Sequence, residues 1–274
     1  MINSIEVGKE ILKKHYDRQL KVAQEKYTGE DVFWVNKKYN HSLEVFEMSQ
    51  YLIENEATLN DLDDDLKLYG QLGALLHDIG RAYEIGHLRK SVIPHGIVGA
   101  DVLVNEEHED NIFLIYSMKY HDDLNAVEKT LNELNELKVN DNDKENIILL
   151  LKLVMDSDRL SNYTHFKDIN KRFIISKERL PFFTESCLNS FKNRKLVNNT
   201  ERKTVFDQML GYICWSYDLF YNASKKFIKE SNCLRDLLNI MKIEIKNFDN
   251  KDENKLLSVF NDIEKQLVED NLLH

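Results

Sequence analysis

Only 2 prolines and 9 glycines interrupt 274 residues. So few breakers leave too little turn chemistry for a many-stranded β protein, and they predict long helices joined by short polar loops. With 42% hydrophobic and 31% charged residues the chain can bury a core and keep a solvated surface, as soluble globular proteins do. Apolar spacing predicts a first helix over 4–27, with Ile5, Ile11, Leu12 and Tyr16 among its apolar positions, and a second over Asn40–Asn55. A third starts at the acidic Asp61–Asp65 cluster and stops at Gly80. A polar loop with His87 and Arg89 leads to Pro94, which opens a short helix. Helices are expected over 110–122, 126–138 and 143–162, and then over 181–193, 199–227, 229–247 and 252–271. The expected class is all-α.

The formal net charge of −10 disfavours duplex nucleic acid as a partner, while a local basic pocket for one small anion is compatible with it. Cys187, Cys214 and Cys233 are odd in number and lack metal-type spacing, so they read as reduced thiols of a cytoplasmic protein. The start, Met1-Ile2-Asn3-Ser4-Ile5-Glu6, lacks a basic region followed by an apolar one, and no signal peptide is expected. The longest apolar stretch, Ile147–Met155, contains Lys152 and is too short to span a bilayer, so no membrane partner is expected.

Metal ligands must sit on rigid elements that face one point, so the helical stripes carry the functional reading. His41 leads the line His41, Val45, Met48, Leu52, and Asp158 closes the line Ile147, Leu151, Val154, Asp158. A carboxylate ending an apolar line is expected to be buried, and then needs a cation or several donors. His77 follows Leu66, Gly70 and Gly73, two glycines that suggest close approach on that face. His95 heads His95, Gly99, Val102, and His121 ends an aromatic-rich helix.

Taken singly, each has a bland reading as a hydrogen-bonded core residue, and His15, His108, His165 and His274 carry that reading. The combination is less forgiving. Ala74-Leu75-Leu76-His77-Asp78-Ile79-Gly80 sets a candidate ligand pair inside an apolar helix stopped by glycine, followed by Pro94-His95-Gly96, Tyr120-His121-Asp122 and Asp158-Arg159-Leu160.

These motifs resemble the HD-domain superfamily of metal-dependent phosphohydrolases, over roughly residues 35–165. The resemblance implies that His41, His77, Asp78 and Asp158 hold one metal. His95 and His121 match the additions of two-metal members, with Asp78 bridging the ions. Some of those members have two consecutive histidines where this chain has His121-Asp122, and Asp122 is read here as a solvated charge. Asp158-Arg159-Leu160-Ser161-Asn162 is similar to the Asp-Arg-Leu-x-Asn of the branch acting on hyperphosphorylated guanosine nucleotides. That favours Asp158 over Asp156 as ligand, with Asn162 facing the substrate, and it does not assign the guanosine.

The resemblance further implies an HD helical core over 35–170, after an N-terminal helix within 1–34 and before a C-terminal helical extension over 171–274. The extension carries no motif and is expected to form one compact unit with the core, its aromatic stretch Tyr212–Tyr221 buried. The implied cofactor is a pair of divalent ions, Mn, Fe, Mg, Co or Ni. The implied reaction is hydrolysis of a phosphate ester, of a nucleotide or small phosphorylated metabolite, by a metal-bound hydroxide. Asp78, Arg81 and Arg159 are the expected catalytic residues, and Arg81, Lys119, Arg159 and Asn162 the expected substrate contacts. Two other readings fit the same ligands, a di-iron oxygenase of the HD type and a nucleotide-sensing module without turnover.

Overall fold

The computed structural model describes residues 2–27, 29–85, 93–164 and 179–273. Among them there is no strand, and the fold class is all-α. The chain divides into two compact units, Met1–Ser161 and Asn162–His274.

In the first unit, Ser4 accepts from the Val7 amide and starts α1, Ile5–Lys26. Helix α2, Gly29–Asn55, begins eleven residues before the expected Asn40. The extra turns bury Asp31 and Val35, and their mixed polarity explains why periodicity missed them. After α3, Ala57–Asn60, the Asp63 carboxylate accepts from the Leu66 amide at 2.8 Å and starts α4, Asp64–Leu76. Helix α4 does not run to Gly80. It ends at Leu76, and the chain passes through His77 and Asp78 into a 3₁₀ turn, Ile79–Tyr83. Then come α5, His95–Glu106, and α6, Ile112–Met118, followed by α7, Ala126–Glu136, and α8, Asp141–Thr164. Helix α6 stops three residues short of His121, which sits in the turn beyond it. The expected loop with His87 and Arg89 lies outside the described residues.

Helix α1 packs on α2 and α4, α2 on α4, α4 on α6, and the 3₁₀ turn on α5. The main core joins Leu12, Leu72, Leu75, Ile79, Leu103 and Leu114, all fully buried. Each such side chain contributes about 1.5–3 kcal/mol relative to exposure. A smaller cluster of Val45, Ala74 and Val154, also fully buried, ties α2, α4 and α8 together.

The second unit contains α9, Glu185–Lys192; α10, Val205–Trp215; α11, Asn222–Glu230; α12, Cys233–Ile245; and α13, Asn250–Glu269. The single helix expected over 199–227 is broken. Thr204 and Asp207 form a capping box that starts α10, and a 3₁₀ turn, Ser216–Asp218, separates it from α11. Within the aromatic stretch Tyr212, Leu219 and Tyr221 are buried, and the Tyr163 hydroxyl donates to the Tyr212 carbonyl at 2.6 Å. The three cysteines are free and buried. No helix among the described residues is long and apolar enough to cross a membrane.

Gly80 earns its place by contact rather than as a helix stop. A Cβ there would lie 2.1 Å from the His95 carbonyl oxygen and 2.8 Å from the Gly99 amide, both backbone atoms that cannot move aside. Gly80→Ala is therefore expected to destabilise the protein by at least about 1–3 kcal/mol. Gly29→Ala, where a Cβ meets nothing within 4 Å, should stay within about 0.5 kcal/mol of wild type. Urea unfolding monitored by circular dichroism compares the two; equal midpoints would refute the close approach at Gly80.

Candidate metal centre

The smaller core cluster explains how three distant segments meet. His41 lies one turn before Val45 on α2, His77 follows Ala74 by three residues, and Asp158 follows Val154 by one turn on α8. Burying the three apolar residues against one another brings His41, His77 and Asp158 together. His41 Nε2 lies 2.8 Å from Asp158 Oδ1, and His77 Nε2 lies 3.9 Å from the same oxygen.

The second half of the site depends on the 3₁₀ turn and α5. Gly80 lets the turn touch the backbone at His95, and Gly96 lets α5 touch the turn holding His121, where a Cβ would lie 2.6 Å from the Lys119 carbonyl oxygen. His95 Nε2 and His121 Nε2 then stand 3.0 Å apart.

Asp78 stands between the halves. Its Oδ2 faces His77 Nε2 at 3.5 Å and His41 Nε2 at 3.8 Å, and its Oδ1 faces His95 Nε2 at 2.9 Å and His121 Nε2 at 3.9 Å. Among the described residues three groups offer ligand atoms within 4.8 Å of one another: His41, His77 and Asp158; His77, Asp78 and His121; and His95, His121 and Asp122. All six histidines and aspartates expected as ligands fall in these groups. Five are buried, and Asp158 keeps 29% of its side chain exposed. Asp156, set aside as ligand, is fully buried and lies 3.9 Å from Arg159 Nη1.

The imidazole hydrogen bonds show what the site is built to hold. His77 Nδ1 donates to the Ala74 carbonyl at 2.8 Å, and His121 Nδ1 donates to the Met118 carbonyl at 2.7 Å. A carbonyl only accepts, so each ring carries its proton on Nδ1 and turns the Nε2 lone pair to the centre. His77 Nε2 is buried without a hydrogen-bond partner. Burial pushes the His77 pKa down to about 3 and lowers that of His121, so neither ring picks up a proton readily. Buried, unpaired lone pairs are costly unless a cation accepts them. The donors present therefore fit a divalent ion: imidazole and carboxylate, with no thiolate among them.

His95 differs. Burial and Arg81 pull its pKa down, but Asp78 and Asp122 outweigh them and hold it above the ordinary value. Carboxylates that favour a proton on that ring favour a metal cation beside it as well. Asp122 extends the sequence reading. The residue is exposed, yet its Oδ2 lies 2.8 Å from His95 Nδ1, so it is a partner of a candidate ligand as well as a partly solvated charge. Burial acts upward on its pKa, yet the His95 hydrogen bond, with the nearby His121 and Arg81, holds it at about 2.

Two cations flank Asp78. Arg81 Nε lies 3.4 Å from Oδ1 and makes no hydrogen bond, while Arg81 Nη1 donates to Glu84 at 2.8 Å. Lys38 Nζ lies 2.8 Å from Oδ2 and was not singled out in the sequence. Its signal was there, since Lys38 precedes His41 by three residues and shares its helix face. With desolvation opposing and Lys38 foremost among the favourable charges, the Asp78 carboxyl sits well below the usual carboxylate range. The other expected substrate contacts have these surroundings. Lys119 Nζ pairs with Glu133 at 2.7 Å and lies over the rings of Tyr116 and Tyr120; Arg159 is buried; Asn162, half-buried, begins the second compact unit. His15 is a hydrogen-bonded core residue, with Tyr83 and Glu107 each at 2.6 Å.

Residues 39–163 match the family model of the HD domain, and its boundaries enclose every residue of the cluster. No curated protein and no solved structure matches the chain. The HD domain and the clustered histidines and aspartates together point to divalent-metal binding.

Because Asp78 faces both groups of imidazoles, Asp78→Ala should lose more bound metal than either His41→Ala or His95→Ala. Metal analysis of protein purified without added metal, with circular dichroism to verify folding, tests this ranking. A folded Asp78→Ala protein with the wild-type metal content would contradict it.

Proposed function

We propose that this chain hydrolyses a phosphate ester of a nucleotide or another small phosphorylated metabolite, on the match of residues 39–163 to the HD domain, whose superfamily is one of metal-dependent hydrolases. The observation that carries the reading is Asp78, set between two groups of inward-facing imidazole nitrogens with a cation at each of its oxygens. His41, His77 and Asp158 would hold one divalent ion and His95 and His121 a second. Asp78 would serve both, because a carboxylate offers two oxygens. Mn, Fe, Mg, Co and Ni all suit this donor set. Such an ion, when bound, lowers the pKa of a coordinated water from about 15.7 toward about 7 and offsets phosphate charge.

The remaining work belongs to the chain. Arg81 Nε is a buried donor without a hydrogen bond, which suits it to receive a phosphate oxygen. Lys38 brings a second positive charge on the other side of Asp78. The carbonyls behind His77 and His121 hold those rings in the tautomer a ligand requires. Ser161 Oγ lies 3.3 Å from His41 Nδ1 and can accept from it, although a hydroxyl alone does not fix the tautomer. Arg159 and Asn162, within the stretch similar to the guanosine-nucleotide branch, are assigned to the substrate side. Lys119 serves the proposal least, since Glu133 already neutralises it.

Phosphate release should be detected from a panel of nucleotides and sugar phosphates in the presence of at least one of the five metals. Lys38→Met and Arg81→Met should each lower kcat by roughly 10²-fold, the order expected when one group stabilising transition-state charge is removed, with no loss of bound metal. Dioxygen consumption by an iron-loaded sample without phosphate release, or nucleotide binding without turnover under every metal, would overturn the proposal.

A further inference from the structure

The two sides of Asp78 are not equally provided. Three side chains, His41, His77 and Asp158, join it on the Oδ2 side, whereas His95 and His121 alone join it on the Oδ1 side. Each side also carries a cation, Lys38 Nζ 2.8 Å from Oδ2 and Arg81 Nε 3.4 Å from Oδ1, so the opposing charges do not make up the difference in ligands. An ion on the Oδ1 side therefore needs support from beyond its direct ligands.

Asp122 is placed to give that support. Its Oδ2 meets His95 at Nδ1, the ring nitrogen turned away from Asp78 and His121, so the imidazole stands between this oxygen and the centre. At 2.8 Å the Asp122 oxygen takes the hydrogen bond of Nδ1. Nε2 is then the ring nitrogen left for a cation, and a carboxylate behind the ring fixes its orientation and strengthens it as a ligand. The imidazoles of His77, just past α4, and of His121, in the turn beyond α6, rely on neutral carbonyls for the same task.

We propose that Asp122 is a positioning residue for His95 and sets the affinity of the Oδ1-side divalent-cation position. The proposal rests on the two-ion reading of this site and not on the reaction performed there. In this chain an acid following His121 thus acts through His95 from the outer side of its ring.

Titration of chelator-stripped full-length protein with Mn²⁺, followed by electron paramagnetic resonance, tests it. Wild type is expected to take up two equivalents in two steps. Asp122→Ala should weaken one step by about 10–100-fold, the usual effect of losing such an outer partner, and leave the other unchanged. Asp122→Asn, whose amide oxygen still accepts from Nδ1, should recover part of the loss, whereas a direct anionic ligand would not be rescued. In the His95→Ala background Asp122→Ala should cause no further loss, because the effect passes through that ring. If Asp122→Ala fails to fold, the Asn and Glu variants carry the comparison. Two equivalents in wild type with both steps unchanged in Asp122→Ala and Asp122→Asn would overturn this proposal alone. A single equivalent in wild type would overturn it together with the two-ion reading.

Discussion

The mutual burial of Val45, Ala74 and Val154 is the constraint on which the centre depends. Each of these residues lies within one helical turn of His41, His77 or Asp158, so their van der Waals contact fixes where three polar side chains end. Protein interiors are close-packed and tolerate little change of volume. A shift of one helix against another would open a void or an overlap here before it moved a ligand atom far. The apolar residues beneath the site therefore do more to place the histidines and aspartates than the polar groups do themselves.

Packing alone would not make these side chains useful. An imidazole has two nitrogens, and the wrong proton placement would turn a donor N–H to the centre instead of a lone pair. In this structure the outer nitrogens of His77 and His121 are committed to carbonyls of their own turns, and that of His95 to Asp122. The result is inward lone pairs at His77 and His121 beside one carboxylate, the one at His77 buried without a hydrogen-bond partner. Such an arrangement is unfavourable by itself. It becomes favourable around a cation, which links the helix geometry to the chemistry assigned to the domain.

The all-α class and the cluster were legible because both rest on periodicity. Lines such as Ile147, Leu151, Val154, Asp158 carry an apolar stripe to a polar end, and residues on one stripe share a face whatever the tertiary context. The misreadings fall where local pattern and tertiary contact diverge. Gly80 looked like a helix stop, but α4 had already ended at Leu76 and the glycine answers to the backbone of α5. The first eleven residues of α2 were hidden by mixed polarity, and Lys38 was hidden with them. The tie of Asp122 to His95 was hidden for a related reason: one sequence cannot show that its partner is an imidazole twenty-seven residues earlier, brought close only by the α5–α6 packing.

The charges around Asp78 bear on the order of events at such a site. Asp78, Glu84, Asp122 and Asp158 stand against Lys38 and Arg81, and burial holds His77 neutral. The two cations offset acids already present and leave the neighbourhood negative, on a chain whose formal charge is −10. An anionic phosphate approaching these side chains alone would be repelled. A bound divalent ion is the largest local charge in such a site and reverses the balance. Within the proposed reading, Lys38 and Arg81 thus become phosphate-binding groups only once the carboxylates they neutralise have been turned to a metal. Substrate affinity and metal occupancy are then one coupled property of this centre, because the same Asp78 oxygens serve both.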